Sequence, residues 1–343
     1  MYQRIRPYLF RMDPERAHDL TVRLLQLVGR FPFLGRAMRG WVLPAARTEV
    51  EFCGLRFPHP IGLAAGYDKD GLAWRGLAAL GFGHIEVGTV TPEPQAGNPR
   101  PRIFRVPEDG AVINRMGFPG RGSDFFLRQV APRGIGGLRD QVILGINIGK
   151  NRSTPLEEAV NDYVFLLREL APTADYFAVN VSSPNTIGLR RLQARDHLEN
   201  LLDQLSEERS QLMSEPGLHL PILVKLAPDL TDQELDDALE AVLNTGTDGV
   251  IATNTTVTRP SVENPVYWEE GGLSGRPLKD LSTEMVKKIT RRTDGELPVI
   301  GVGGVETGID AREKLAAGAG LVQVYTGLIY RGPLLVRHLL EEI

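Results

Sequence analysis

From Pro60 onward the chain alternates between short apolar segments and longer amphipathic segments. The short segments are typical of buried parallel strands, and the longer ones are typical of crossover helices. We predict eight strands over residues 61–63, 84–87, 142–148, 176–181, 222–226, 249–252, 299–302 and 321–324. We predict helices between them over residues 70–80, 155–170, 196–213, 231–244, 279–291 and 308–317. Eight similar strand–helix units predict an α/β fold, a (β/α)8 TIM barrel, because an open doubly wound sheet has no place for eight equal units.

Length and composition fit one large domain with a small appendage. A chain of 343 residues could hold two domains, but barrels of this kind use most of such a length as one. With 42% hydrophobic and 24% charged residues the chain can bury a large core, which excludes a mainly disordered protein. The single cysteine, Cys53, excludes an internal disulfide and a cysteine-based zinc site, and we predict no metal. We divide the chain into an N-terminal helical extension, residues 1–47, and a barrel domain, residues 48–343.

The extension is both basic and apolar. It contains nine arginines and three acidic residues, so its net charge is +6 and the remainder of the chain carries −10. Asp13 before Pro14 marks a helix start, apolar residues at helical spacing follow up to Gly29, and a second short helix is predicted over residues 33–42. This pair of helices either caps the barrel or lies on an anionic membrane surface, and the arginine excess favours the membrane. Nucleic acid is a weaker alternative, because the barrel domain is acidic.

Long loops and glycine-rich turns follow several of the predicted strands. Residues 88–140 come after the second strand and residues 254–279 after the sixth, so we expect a lid or wall on the face where the strands end. The small residues at 64–66 would let the backbone approach a flat ligand, although a tight turn also explains the glycine. The turns at 301–304 and 325–327 occupy the usual phosphate site of barrels, which many barrels with phosphorylated substrates share.

Asparagines and lysines are concentrated at the same strand ends. The asparagines are Asn114, Asn147, Asn180, Asn185 and Asn254. A carboxamide both donates to and accepts from the edge of a heterocycle such as a pyrimidine, whereas any single asparagine could simply favour a turn. The two lysines suit the stabilisation of an anion, Lys225 at the end of an apolar strand and Lys69 beside Asp68, where an ion pair is the alternative.

Sequence strings across nearly the whole chain resemble the dihydroorotate dehydrogenase family. They are AAGYDKDG from Ala64, EVGTVTPEPQAGNPRPR from Glu86, NRMGFPG from Asn114, NIGKN from Asn147, NVSSPNT from Asn180, VKLAPD from Val224, TNTT from Thr253, GGLSGRPL from Gly271 and GVGGV from Gly301. Within that family, a two-helix N-terminal extension and a serine base are typical of the quinone-dependent, membrane-associated class. Both features are present here, the serine at Ser183.

The resemblance implies that the chain oxidises (S)-dihydroorotate to orotate in de novo pyrimidine (UMP) biosynthesis. Ser183 would remove the C5 proton while a hydride leaves C6 for flavin mononucleotide (FMN), and Lys69 would meet the substrate carboxylate. The other residues implied to contact the substrate are Asn114, Arg115, Met116, Gly117, Phe118, Asn180, Asn185, Asn254 and Thr255. Those implied to bind FMN are Ala65, Gly66, Tyr67, Asp68, Lys69, Thr89, Asn147, Asn180, Lys225, Thr253, Gly275, Gly303, Gly304, Tyr325 and Thr326.

The final electron acceptor implied by the resemblance is ubiquinone or menaquinone. His18, Arg105 and Tyr325 match positions near the quinone in this class. No apolar run approaches the roughly 18 residues that span a bilayer, and the N-terminus lacks a secretory pattern. We therefore expect a peripheral membrane protein, with no nucleic acid and no obligate protein partner. A processed mitochondrial protein stays open as an alternative, but Met1 directly at the extension favours the cytoplasmic face of the bacterial inner membrane.

Other functions stay open at this point. A family member that uses a soluble electron acceptor would normally carry cysteine at the base position, where this chain has Ser183. A non-redox barrel isomerase or lyase would also use the phosphate site but would bind no flavin. A lipid-bound scaffold would explain the extension but not the polar residues at the strand ends. The absorption of a bound flavin would distinguish these alternatives.

Overall fold

The computed structural model describes residues 2–44, 47–130, 138–213, 219–260 and 263–343. Its extension consists of three helices: α1 (Tyr2–Arg11), α2 (Pro14–Arg30) and α3 (Pro32–Val42). The last two are the predicted pair. Helix α2 begins as expected, because Asp13 Oδ1 accepts hydrogen bonds from the backbone N–H groups of Glu15 at 3.1 Å and Arg16 at 3.0 Å.

Helix α1 corrects the predicted two-helix extension. It contains Pro7 and has no acidic residue in its first turn, so the sequence carries no clear start signal. Contacts with the end of the barrel hold it, since the Tyr2 hydroxyl donates to Ile329 O at 2.5 Å and Arg6 donates to Tyr330 O at 3.2 Å. Parts of the predictions lie outside the described residues, namely residues 1 and 45–46 of the extension, residues 131–137 of the first long loop and residues 261–262 of the second.

The predicted barrel is confirmed. The strands are, in chain order, β1 (Val50–Phe52), β2 (Leu55–Phe57), β3 (Ile61–Leu63), β4 (His84–Val90), β5 (Ile103–Val106), β6 (Ala111–Asn114), β7 (Ile143–Ile148), β8 (Tyr176–Asn180), β9 (Ile222–Leu226), β10 (Gly249–Ala252), β11 (Gly272–Gly275), β12 (Val299–Val302) and β13 (Leu321–Val324). The further helices are α4 (Trp74–Ala79), α5 (Ser123–Val130), α6 (Ala159–Leu170), α7 (Arg195–Leu212), α8 (Asp232–Asn244), α9 (Lys279–Arg292), α10 (Gly308–Ala316), α11 (Thr326–Arg331) and α12 (Leu335–Glu342). Eight parallel strands close in the order β3-β4-β7-β8-β9-β10-β12-β13, and all eight were predicted.

Two antiparallel sheets outside the barrel were not predicted. The hairpin β1–β2 precedes the barrel, and its Phe52 and Phe57 join the apolar cluster inside it; Phe57 also packs on His84, the first residue of β4. The hairpin therefore covers the end of the barrel at which the strands begin. At the opposite end the two long loops supply β5, β6 and β11, which pair in the order β11-β6-β5. We call this three-stranded sheet the lid sheet.

The extension is packed tightly onto the barrel. Helices α2 and α4 approach closely, because a Cβ on Gly76 would lie 2.1 Å from Leu25 O and one on Gly29 would lie 2.7 Å from the Arg75 Cβ. Buried Arg39 on α3 donates to backbone oxygens of the barrel, among them Ala78 O at 2.6 Å. At Gly29 and Gly76, only glycine allows α2 and α4 to come so near.

The extension exposes large apolar side chains. They are Ile5, Tyr8, Met12, Leu20, Leu24, Leu27, Phe31, Phe33, Leu34 and Trp41. Phe33 is 80% exposed and Trp41 is 66% exposed, values that are unusual for such side chains in a water-facing helix. Among the described residues, no helix is both long enough and apolar enough to span a lipid bilayer.

Candidate functional site

A cavity opens where the barrel strands end, beneath the lid sheet, and we call it the mouth cavity. It holds about 980 Å³ with its open mouth included, which is within the range of small-molecule sites. Predicted site residues that line it are Ala65, Gly66, Lys69, Thr89, Asn114, Met116, Gly117, Phe118, Asn180, Ser183, Asn185, Lys225, Thr253, Asn254, Thr255, Gly275, Gly303, Gly304, Tyr325 and Thr326. The strand register brings these together, since Asn180 of β8 is paired with Lys225 of β9, and Gly88 of β4 is paired with Asn147 of β7.

A hydrogen-bonded network forms the floor of the mouth cavity. Thr89 Oγ1 donates to Asn147 Oδ1 at 2.5 Å, and Asn180 Nδ2 donates to both of these oxygens, at 2.9 Å to Thr89 Oγ1 and 3.1 Å to Asn147 Oδ1. Asn147 Nδ2 in turn donates to Glu86 Oε1 at 2.8 Å. Asn147 therefore lies beneath the lining and orients the residues above it, and the network fixes which way each carboxamide points.

Glu86 is a charged residue inside the barrel that the sequence analysis missed. Its carboxylate lies 3.2 Å from Lys225 Nζ, accepts a hydrogen bond from Gln323 Nε2 at 2.9 Å, and is 3.4 Å from the Tyr176 hydroxyl. Burial, with Glu86 alongside, raises the pKa of Tyr176 well above its usual value, so this phenol stays protonated. A lone carboxylate within an apolar strand segment was the available signal, because such a charge needs a buried partner.

The turn after β3 presents Lys69 to the mouth cavity. Gly66 has a φ of +100°, and its carbonyl accepts a hydrogen bond from Lys69 Nζ at 2.5 Å. Burial lowers the pKa of Lys69 to about 8. The alternative pairing with Asp68 does not form, because that carboxylate instead accepts from the backbone N–H groups of Leu72 at 2.8 Å and Ala73 at 2.7 Å.

Residues 182–186 follow β8, and we call them the base loop after the role predicted for Ser183. Ser183 is only 6% exposed, and its Oγ accepts a hydrogen bond from the backbone N–H of Asn185 at 3.2 Å. Asn185 Nδ2 lies 3.3 Å from Asn114 Oδ1, and Asn254 Nδ2 donates to Ser182 Oγ at 3.0 Å. Carboxamides from three loops are thus joined to the base loop, Asn114 through Asn185 and Asn254 through Ser182, the neighbour of Ser183.

Residues 114–118 come at the end of β6, and we call them the substrate loop after their predicted contacts; all but Arg115 line the wall of the cavity. Gly117 and Phe118 have φ values of +69° and +52°, which fold the loop back over the mouth. The side chain of Arg115 turns away, because its Nη1 lies 2.6 Å from Glu269 Oε2 and its guanidinium packs over the Phe104 ring. Arg115 therefore lies in the predicted loop without its side chain facing the cavity.

Glycines and helix starts form a cradle at the far end of the mouth cavity. A Cβ on Gly304 would lie 2.5 Å from Lys279 Cα, the first residue of α9, and one on Gly275 would lie 2.2 Å from Gly110 O. Thr326, at the start of α11, donates from its Oγ1 to Ser274 Oγ at 2.8 Å. Free backbone N–H groups at helix starts favour an anion such as a phosphate.

Lys314 lies fully buried behind this cradle, and the sequence analysis did not identify it. Its Nζ donates to Ser282 Oγ at 2.6 Å and to Thr283 Oγ1 at 2.7 Å, both on α9. Burial lowers its pKa to about 7. In the sequence it is an ordinary lysine on an amphipathic helix, and only the packing of α10 on α9 turns it inward.

The mouth cavity also has lining residues that were not predicted, among them Ser274, Leu278, Val305 and Gln323.

A second cavity lies between helices α1 and α2 and the barrel, and we call it the extension chamber. Its lining is mostly apolar and includes the three predicted quinone residues His18, Arg105 and Tyr325. Burial lowers the pKa of His18 to about 3, so the ring is neutral at physiological pH; it packs edge-on against Tyr67 at 4.9 Å. Arg105 Nη1 donates to Leu9 O at 3.1 Å and its guanidinium lies 4.7 Å from the ring centre of Phe10.

The two cavities share a wall. Asn114, Met116 and Tyr325 line both of them, and Tyr325 OH is 3.4 Å from Gly66 O. Tyr67, predicted to contact the cofactor, belongs to this wall from the side of the extension chamber, where its hydroxyl is 3.1 Å from Thr21 Oγ1. Only a few side chains therefore separate the mouth cavity from the more apolar extension chamber.

The chain is similar to known proteins over nearly its whole length. Residues 47–343 match the family model described as dihydroorotate dehydrogenase. The chain is 48% identical to dihydroorotate dehydrogenase (quinone) of Pseudomonas fluorescens (strain Pf0-1), over 100% of this chain and 99% of the relative, and 49% identical to that of Cellvibrio japonicus (strain Ueda107), over 98% and 96%. It superimposes on the crystal structure of DHODH in complex with ferulenol from Eimeria tenella with a TM-score of 0.88 and 40% identity, covering 96% of this chain and 90% of that one.

Proposed function

Because the chain belongs to the dihydroorotate dehydrogenase family, we propose that it oxidises (S)-dihydroorotate to orotate in the mouth cavity and passes the electrons to a quinone in the extension chamber. The reaction is a step of de novo pyrimidine (UMP) synthesis. The observation that carries this proposal is the wall shared by the two cavities, since electrons need only cross Asn114, Met116 and Tyr325 to pass from the mouth cavity to the extension chamber.

The mouth cavity fits FMN. The small residues Ala65 and Gly66 leave room for a flat ring, and the cradle of Gly275, Gly303, Gly304 and Thr326 offers backbone donors to a phosphate. A bound flavin would supply a hydride acceptor and release the electrons to a quinone. Lys225, held by buried Glu86, would stabilise negative charge on the flavin edge, and Thr89, Asn180 and Thr253 would donate to or accept from it.

Ser183 is proposed to be the general base. Its Oγ would take the proton from C5 of the substrate while its own hydroxyl proton passes to a water molecule, and the backbone N–H of Asn185 would stabilise the partial negative charge on that oxygen as the hydroxyl proton leaves. A serine hydroxyl is a poor base in water, so its near-complete burial matters, because a water-excluded site strengthens these electrostatic contacts.

The substrate is proposed to lie between the substrate loop and the base loop. The carboxamides of Asn114, Asn180, Asn185 and Asn254, with Thr255, would bind the N–H and C=O groups of the pyrimidine ring. Lys69 would bind the substrate carboxylate. The backbone of Arg115 with Met116, Gly117 and Phe118 would close the pocket over the ring.

A quinone head group is proposed to lie in the extension chamber near His18, Arg105 and Tyr325. The neutral ring of His18 keeps that part of the lining uncharged, which suits an apolar ligand. The Arg105 guanidinium is the cation placed to donate to a quinone carbonyl oxygen.

The exposed apolar side of the extension is proposed to lie on the membrane, at the cytoplasmic face of the bacterial inner membrane. Its arginines would add attraction to anionic lipid, at about 1 kcal/mol each. Flotation with vesicles of phosphatidylglycerol and phosphatidylethanolamine tests this assignment. Binding should weaken with salt without vanishing, because apolar burial is not screened. Absence from the vesicle fraction at low salt would refute it.

One experiment tests the whole function. The purified protein should show flavin absorption, anaerobic dihydroorotate should bleach it, and a quinone should restore it. A protein that binds no flavin would instead favour a non-redox phosphate-binding barrel, and flavin that dihydroorotate does not bleach would favour a different flavin-dependent oxidoreductase.

A further inference from the structure

Asn98 lies in the connection between β4 and β5 and bridges the substrate loop and the base loop. Its backbone N–H donates to Met116 O at 2.9 Å. Its carboxamide nitrogen donates to Arg115 O at 3.0 Å and to Asn185 O at 3.1 Å. One side chain outside the lining of both cavities thus holds together the two loops between which the substrate is proposed to bind.

The orientation of the Asn98 carboxamide is fixed from the other side. Its oxygen accepts a hydrogen bond from Arg152 Nη1 at 3.2 Å, which leaves the nitrogen facing the two loop carbonyls. Its backbone oxygen accepts from Arg102 Nη1 at 2.8 Å, and Arg102 is paired with Glu15 of α2 at 2.7 Å. The bridge is therefore anchored both to the barrel and to the extension.

The substrate loop is also wrapped closely around this side chain. Gly117 has a φ of +69°, and a Cβ there would lie 2.8 Å from Asn98 Nδ2. A direct link between the loops also exists, from Asn185 Nδ2 to Asn114 Oδ1 at 3.3 Å, but it is longer and uses two carboxamides that would turn to the substrate. Asn98 would keep its contacts to loop backbone when the substrate is bound.

The base lies one hydrogen bond beyond the bridge. Asn98 holds the carbonyl of Asn185, and the N–H of the same residue donates to Ser183 Oγ at 3.2 Å. A shift of Asn185 would therefore move the serine oxygen relative to the substrate loop. Misplacing a reacting group by about 1 Å can cost roughly 10²-fold in rate.

We propose that Asn98 is a positioning residue for dihydroorotate oxidation, whose two hydrogen-bond donors set the distance between the substrate loop and Ser183. The inference rests on the proposed function. In this proposal Asn98 contacts neither the substrate nor the cofactor. The Asn98 side chain acts only through the Arg115 and Asn185 carbonyls.

Two substitutions in the full-length, flavin-loaded protein separate donation from packing. Asn98→Asp keeps the size of the side chain but places an acceptor opposite two carbonyl oxygens, whereas Asn98→Ala removes the group. Positioning by donation predicts flavin reduction by saturating dihydroorotate about tenfold slower in Asn98→Ala and about a hundredfold slower in Asn98→Asp. A packing role predicts the reverse order. Asn200→Asp on the exposed face of α7 is the matched control and should reduce its flavin like the wild type.

A second measurement does not depend on turnover. Hydrogen exchange without substrate should be faster in both loops of Asn98→Ala and unchanged in the barrel strands, because only the bridge is lost. Wild-type reduction rates in both variants, a milder defect in Asn98→Asp, or unchanged exchange in the two loops would each overturn the proposal. If Asn98→Asp retains no flavin, the flavin reduction rate and the hydrogen exchange of the two loops in Asn98→Ala decide the question. Failure of dihydroorotate to bleach the wild-type flavin would count against the proposed function alone.

Discussion

The mouth cavity is built from the ends of paired strands, whereas the extension chamber is closed on one side by helices α1 and α2. Polar groups of the mouth cavity are held by buried partners, as Lys225 is by Glu86. The lining of the chamber is mostly apolar, and its histidine, His18, is kept neutral by burial. The contrast indicates that one cavity orients a polar substrate atom by atom while the other accepts an apolar molecule with fewer directional contacts.

The largest expected effect belongs to the base. Ser183→Ala should retain flavin and slow its reduction by dihydroorotate by roughly 10²–10⁴-fold, the usual span for loss of a positioned general base. Reoxidation by quinone should keep its wild-type rate, because that step uses the other cavity. Stopped-flow absorbance of the two half-reactions measures both. If reduction and reoxidation slowed equally, the assignment of the two half-reactions to separate cavities would be wrong.

A smaller effect is expected at the buried ion pair. Lys225→Met removes the cation beside the flavin and leaves Glu86 as an unpaired buried charge, so flavin reduction should slow roughly 10–10²-fold and the flavin potential should fall. The unpaired Glu86 should also lower the free energy of unfolding of the single variant. Lys225→Met combined with Glu86→Gln should recover this free energy of unfolding but not the flavin potential. A wild-type potential in the flavin-loaded single variant would contradict the role assigned to Lys225.

The extension chamber should respond in the opposite half-reaction. Ala17 is buried and lines the chamber, so Ala17→Phe should slow reoxidation by a long-tailed quinone about tenfold and leave reduction by dihydroorotate unchanged. Leu20→Phe, on a more exposed position of the same helix, is the control. A substitution is cleaner than removing the extension, because Glu15 is paired with buried Arg102 of the barrel domain. Equal reoxidation in the two variants would remove the quinone from this chamber.

The smallest effect is a difference in pH dependence. Lys69 has a pKa lowered to about 8 in the free site, so its charge is present below that pH and lost above it. The KM for dihydroorotate should therefore rise severalfold between pH 8 and pH 9, whereas His18, with a pKa of about 3, should add no such change to the KM for quinone between pH 5 and pH 9. Steady-state kinetics across this range test both. A flat KM for dihydroorotate would place its carboxylate away from Lys69.

The sequence predicted the barrel strands well because each is buried on both faces and carries a local apolar signal. It missed the lid sheet, whose β6 and β11 are far apart in the chain, so neither segment alone shows its pairing. It missed α1, which contains Pro7, has no acidic residue in its first turn and is held by contacts to the end of the barrel.

Within the site, the residues facing the cavity were predictable and their supports were not. Strand ends and the family resemblance identified Lys69, Ser183 and the asparagines of the mouth cavity, and the structure brings these together. Glu86, Lys314 and Asn98 act through other residues, and their partners are remote in sequence. Such partnerships depend on how elements pack, which local residue patterns do not encode.

The wall formed by Asn114, Met116 and Tyr325 has a kinetic consequence. Because the two reactants are proposed to occupy cavities on opposite sides of it, we expect dihydroorotate to bind and orotate to depart without the quinone moving, and the reverse for the quinone. The overall reaction is then a double displacement, with parallel lines in reciprocal plots at several fixed quinone concentrations. Orotate should compete with dihydroorotate but not with the quinone, and a compound that fills the extension chamber should block turnover while leaving the first bleaching of the flavin intact.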